Sequence, residues 1–141
     1  MAEGPILAAV DGRRNDAHVL EIAAAEAVNA DCELVVLHVI VIAWDRALED
    51  ADEDSVLENG RILERAAATV KKHPHAGYRG LCLQSRSAGG AIVEAALDLD
   101  ARLIVMGCRR LLDDEVLDLG RAASFVLPNA PCPVLLWRNP S

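Results

Sequence analysis

Residues 33–42, E-L-V-V-L-H-V-I-V-I, form a nearly unbroken run of β-branched and aliphatic side chains. Alternating polar and apolar residues would mark a strand with one wet face. A run this apolar reads instead as a strand covered on both faces, which places it centrally in a parallel sheet. Parallel strands cannot be joined by tight hairpins and need helical crossovers. The run therefore asks for helices on both sides of it in the chain, and for a second layer on each face of the sheet.

The rest of the sequence supplies them. P-I-L-A-A-V at 5–10 is a short apolar run closed by the turn signal Asp11-Gly12. Asn15 or Asp16 then caps a helix with apolar positions at Ala17, Leu20, Ala24, Ala27 and Val28, ending near Asn29. After the strand at 33–42 comes an acidic, solvated connection (44–54) and a helix from about Ser55 to Lys72, stopped by Pro74. Tyr78 to Ser85 is a weaker strand, and Ser87 or Gly90 opens a helix carrying Ile92, Ala95, Ala96 and Leu99. A fourth strand runs from Arg102 to Met106, a short helix from Arg121 to Leu127 ends or kinks at Pro128, and a fifth strand spans Pro133 to Trp137. The order βαβαβαβαβ predicts one α/β domain over residues 1–141, an open parallel sheet with helices on both faces.

With the two most apolar strands, the second and the fourth, on either side of the first, the winding direction reverses between strands one and four. Ligands of such sheets bind outside the carboxyl ends of the strands at that reversal. Asp11 and Gly107 are thereby expected at the mouth of one crevice. A strand that ends on Gly107 and a helix that begins at Gly120 frame a candidate phosphate loop, because a glycine admits close backbone approach and a helix start presents N–H groups to an anion.

Composition narrows the function. The aromatic content is 3% against 52% hydrophobic residues, so the core is built from Ala, Val, Leu and Ile packed closely. A formal net charge of −8 with dispersed basic residues disfavours nucleic acid and anionic membrane as partners. No apolar stretch approaches the roughly 20 residues of a spanning helix, and residues 1–5 lack the basic start of a signal peptide. A cytoplasmic protein is expected. Cys32, Cys82, Cys108 and Cys132 show no metal-ligand or disulfide spacing and read as free thiols; Cys108, next to Arg109 and Arg110, is expected to be an ordinary one.

The chain resembles the universal stress protein family along nearly its whole length. The resemblance is carried by I-L-A-A-V-D-G at 6–12, L-V-V-L-H-V at 34–39, A-I-V-E-A-A at 91–96, L-I-V-M-G at 103–107, L-G at 119–120 and A-P-C-P-V-L-L-W-R at 130–138. It implies strand order 3-2-1-4-5, a homodimer and, in one branch, ATP or another adenine nucleotide in the crevice. That branch has a glycine, two residues, a second glycine, nine residues, then glycine followed by Ser or Thr. Gly107 and Gly120 keep the first and third glycines, but Arg110 stands at the second and Arg121 at the hydroxyl position. Arg13-Arg14 follow Asp11-Gly12 where many members have Ser or Thr. By the resemblance, Ala9, Asp11 and Val39 would contact adenine and ribose, Gly107 would lie under the sugar, and Gly120, Arg121 and Ala122 would face phosphate. Guanidinium forks bind phosphate bidentately, so Arg13, Arg110 and Arg121 either assist a nucleotide or close the crevice themselves.

Other constellations carry less. Asp50, Asp52 and Asp54 imitate a calcium loop, but its sixth position is Ser55 and its twelfth Arg61. His38, inside an apolar strand, reads as a satisfied core histidine, and no metal site is predicted. No nucleophile–base pair or carboxylate pair at a working spacing points to an enzyme. Three classes stay open: a regulatory module that binds an adenine nucleotide, a dimeric stress-response interaction protein without nucleotide, and a slow nucleotide hydrolase, for which the sequence offers no positioned water or metal. The dimer is expected through the fifth strand, an edge whose row Val134, Leu135, Leu136 and Trp137 has no interrupting charge.

Overall fold

A computed structural model describes residues 3–108 and 120–138. The elements follow in the order β1 (Ile6–Val10), α1 (Asp16–Ala30), β2 (Glu33–Val41), α2 (Glu53–Val70), β3 (Gly77–Ser85), α3 (Ala88–Asp98), β4 (Leu103–Gly107), α4 (Gly120–Asn129) and β5 (Val134–Trp137). The strands form a five-stranded sheet of order β3-β2-β1-β4-β5. Every pairing in it is parallel. The expected single α/β domain and its strand order are those of the structure.

The period-two geometry of the central strands divides the core between the two faces. Ile6, Ala8, Val10, Leu34, Val36 and Val105 point to one side and pack under α1 and α2 through Leu20, Ala23, Ala24, Ala27, Ile62 and Ala66. Leu7, Val35, Leu37, Ile104 and Met106 point to the other and meet Ile92, Ala95, Ala96, Ala123 and Val126 of α3 and α4. The alanines on α1 and α3 let these helices lie close on the sheet, which is how a core nearly without aromatics fills its space.

Local chemistry sets the helix ends. Asp52 caps α2, its Oδ1 accepting the Ser55 N–H at 2.7 Å, so the helix begins at Glu53 rather than at Ser55. Ser87 does the same for α3, its Oγ accepting from Gly90 N–H at 3.1 Å. Of the two expectations for Pro128, that it ends α4 or kinks it, the first does not hold: the helix runs through Pro128 to Asn129. The Ala130 N–H still bonds the Val126 carbonyl at 2.8 Å, and Asn129 Nδ2 donates to the Phe125 carbonyl at 2.8 Å. These two bonds hold the last turn around the missing proline donor.

On β5, Leu135 and Trp137 pack against the α1/α2-side cluster and Val134 and Leu136 against the other. Trp137 also stacks on His18 of α1, with ring centroids 4.7 Å apart.

Candidate functional site

β1 pairs with β2 on one side and with β4 on the other, so the winding reverses at the carboxyl end of β1. Adjacent strands bring the expected residues to one edge. Ala9 lies opposite Met106, immediately before Gly107, and Val10 lies opposite His38, immediately before Val39. Asp11 and Val39 line a cleft of about 390 Å³ together with His38, Ile40, Val41 and, from α2, Asp52, Asp54, Ser55, Glu58 and Ile62. Ala9, Gly107, Gly120, Arg121 and Ala122 do not line this cleft. Arg110 lies outside the described residues.

The turn that follows β1 is tightly tied. Gly12 has φ +86°, a conformation that favours glycine, and a Cβ there would meet the tip of the Ile62 side chain at 2.9 Å, which would have to shift aside. The α1 start differs from the expectation that Asn15 or Asp16 caps the helix. Asn15 occupies the cap position without a side-chain capping bond. Asp16 instead reaches back, its Oδ1 accepting the Asp11 N–H at 3.1 Å and its Oδ2 the Gly12 N–H at 2.8 Å. Asp11 Oδ1 in turn accepts the Arg13 N–H at 2.9 Å, and the Arg13 guanidinium stands 3.7 Å from the other Asp11 oxygen. Arg13 is thus partnered inside the turn.

Desolvation dominates at Asp16 and pushes its carboxyl up from 3.8 to about 6, against the two backbone N–H bonds that pull it down and with the nearby Asp11 charge adding to the rise. Asp52 moves the other way, lowered chiefly by its bond from the Ser55 N–H.

At the end of β4 the geometry is different. A Cβ on Gly107 would come 3.3 Å from Asn15 Cβ, so the absent side chain makes room for the start of α1. α4 opens on Gly120, with φ +81°, a conformation that an L side chain adopts only under strain. Arg121 is exposed in its first turn, and Ala122 packs against the α3/α4-side cluster. Cys108 is buried at 6% exposure. That burial pushes its thiol up, against a smaller downward pull from Arg138.

His38 hydrogen-bonds Asn59 Oδ1 of α2 through Nδ1 at 2.8 Å, a satisfied strand histidine at the wall of the cleft. Among the described residues no group of three His, Cys, Asp or Glu side chains is arranged to hold a metal ion, and no helix is long and apolar enough to cross a membrane. Three participants escaped sequence reasoning: Asp16 as a clamp on the β1 turn, and Glu58 and Ile62 as the α2 wall of the cleft. An acidic residue four positions after a turn glycine was the available signal for the first.

An open parallel sheet of order 3-2-1-4-5 with a ligand-sized cleft beside its winding reversal defines an α/β domain of the kind that takes small molecules at its carboxyl edge. The model of the universal stress protein family matches residues 4–138, and the chain belongs to that family. A universal stress protein of Thermus aquaticus is 35% identical over 136 residues, which span 94% of this chain and 97% of that relative. The solved structure of a universal stress protein from Archaeoglobus fulgidus superposes with a TM-score of 0.82 at 26% identity, covering 94% of this chain and 97% of that one. A universal stress protein from Archaeoglobus fulgidus in complex with dAMP superposes with a TM-score of 0.79 at 25% identity, over 96% and 98% of the two chains.

Proposed function

We propose that this chain is a cytoplasmic regulatory module, without chemistry of its own, that binds an adenine nucleotide at the carboxyl edge of β1, β2 and β4. The observation that carries this reading is the cleft of about 390 Å³ between Asp11, the end of β2 and α2, on the β2 side of the carboxyl end of β1. Its size falls within the range of small-molecule sites. Val39, Ile40 and Ile62 offer it apolar surface, and Asp11 and Glu58 offer acceptors for ribose hydroxyls or an exocyclic amine. Beyond β4, the start of α4 at Gly120, Arg121 and Ala122 is the phosphate end, with Ala9 and Gly107 between. The dAMP complex of the Archaeoglobus fulgidus relative supports the same ligand class.

Native mass spectrometry of protein purified without added ligand, with absorbance at 260 nm, tests the reading. Bound AMP, ADP or ATP, or their uptake on addition, supports it. A chain that takes up none of them favours the nucleotide-free interaction protein.

The module is a homodimer paired through β5, whose free edge has neither charge nor proline between Val134 and Trp137. Light scattering is expected to give a dimer at micromolar concentration and a monomer or aggregate for Leu135→Lys. A monomeric parent, or a variant that remains dimeric, places the interface elsewhere.

A further inference from the structure

Of the nine large apolar side chains exposed among the described residues, five lie from Val41 to Leu57, where β2 ends and α2 begins. Single exposed apolar residues are ordinary, but a cluster of them marks a surface that something covers. Trp44 is the most open of the five, 83% exposed, and Leu48, Val56 and Leu57 follow it in the chain. The segment that carries Trp44 is fixed at both ends. The Ile42 N–H donates to the Ser85 carbonyl at 2.8 Å. The Arg86 guanidinium donates to the Ile42 and Ala43 carbonyls and lies 5.1 Å from the centre of the Trp44 ring. Further on, Arg46 pairs with Asp50 at 3.4 Å and with Asp52 at 3.6 Å. Asp52 also caps α2, so these pairs hold the connection beside the start of the helix that carries Val56 and Leu57. An indole held in this way has less freedom to lose on binding.

Charge decides what covers it. Residues 44–58 hold seven acidic side chains, all exposed, against one basic side chain, Arg46, which is paired within the segment. A second copy of the chain would bring the same acidic surface against itself, and an anionic bilayer would be repelled. A partner that sets Lys and Arg around an apolar anchor complements both parts of the surface, in the usual anatomy of an aromatic centre with a polar rim. We propose that Trp44 and its acidic surround form a docking surface for a basic amphipathic segment of a partner protein. The proposal holds with or without a nucleotide in the cleft, since neither Trp44 nor Leu48 lines it.

A phage-displayed library of random peptides of about 15 residues, long enough for a helix of about four turns, tests the proposal when selected on the full chain and counter-selected on Trp44→Ala. Clones that depend on Trp44 should carry a surplus of Lys and Arg and at least one large apolar residue. As free peptides in fluorescence anisotropy they should bind the parent chain at least about tenfold more tightly than Trp44→Ala. Asp45→Lys combined with Glu49→Lys, two acids outside the cleft, should weaken them at least about threefold and flatten the dependence on salt. Both variants replace exposed side chains and should melt with the parent; the charge variant gives an independent reading if Trp44→Ala does not fold. No Trp44-dependent clone, or clones without positive charge, overturns the proposal. So does a parent dimer that Trp44→Ala turns into a monomer in light scattering, which gives the surface to a second copy. Trp44-dependent binding to phosphatidylcholine vesicles gives it to a bilayer and overturns the proposal as well.

Discussion

The exit from β1 and the entry to α4 are built in different ways. After β1, the chain satisfies its own backbone donors with Asp16 and Asp11, and Gly12 takes a positive φ beside Ile62. After β4, Gly120 opens α4 with an exposed Arg121 beside it. The β1 turn is an internally closed anion site that serves the fold, whereas the first turn of α4 carries an exposed arginine. A glycine near the end of a strand is therefore no sign of a ligand by itself: Gly12 serves a positive φ, and Gly107 the approach of Asn15.

That contrast is most exposed to the two positive-φ glycines. Gly12→Val adds a β-branched residue at φ +86° and drives Cβ into Ile62. It should cost about 2 kcal/mol or more, a melting temperature lower by roughly 5–10 °C. Gly120→Val, strained by φ +81°, should cost about 1–2 kcal/mol and also abolish measurable AMP binding. Equal melting temperatures for the two variants, with AMP binding intact in Gly120→Val, would remove the distinction between a structural and a ligand-facing turn.

The arginines sharpen it next. Arg121→Ala should weaken AMP about three- to tenfold, the loss of one exposed charged partner to phosphate. Arg13→Ala should change it less than about twofold, because Arg13 is already held by Asp11. The reverse order in a binding assay would mean that the β1 turn, not α4, faces the phosphate.

A smaller effect is expected from pH. Asp16 has a folded pKa of about 6 against an ordinary 3.8, so the folded chain holds this proton more tightly than the unfolded one. Its contribution to stability is fully present below the unfolded value and is lost as pH rises through the folded one. The stability of the parent minus that of Asp16→Asn should therefore fall between about pH 4 and about pH 6.5. A denaturation series in which that difference is flat or rises would contradict the desolvated clamp. Smallest of all is Cys108, whose buried thiol should react with iodoacetamide at neutral pH no faster than a model peptide; a tenfold faster rate would make the β4 end a redox site.

Much of this was legible in the sequence. The central strands announce themselves by apolar runs that only a doubly covered sheet can use, and the sheet order puts Ala9, Asp11, Val39 and Gly107 on one edge. Local hydrogen bonding was harder. D-E-D-S at 52–55 offers several caps, and only the bond from Ser55 N–H to Asp52 singles one out. Asp16 looks like an ordinary first-turn acid until the chain's path through Gly12 brings it back over β1. The α2 wall of the cleft and the stack of Trp137 on His18 depend on how distant elements meet, and periodicity does not encode that.

Hydrogen–deuterium exchange with and without saturating AMP tests the central claim most directly, since it reads the whole edge of the sheet at once. Protection is expected at residues 38–41 and 120–122, with little change in residues 11–13, whose N–H groups are already bonded to Asp16 and Asp11. Protection centred on 11–13, or none along this edge while AMP is bound, would contradict the account.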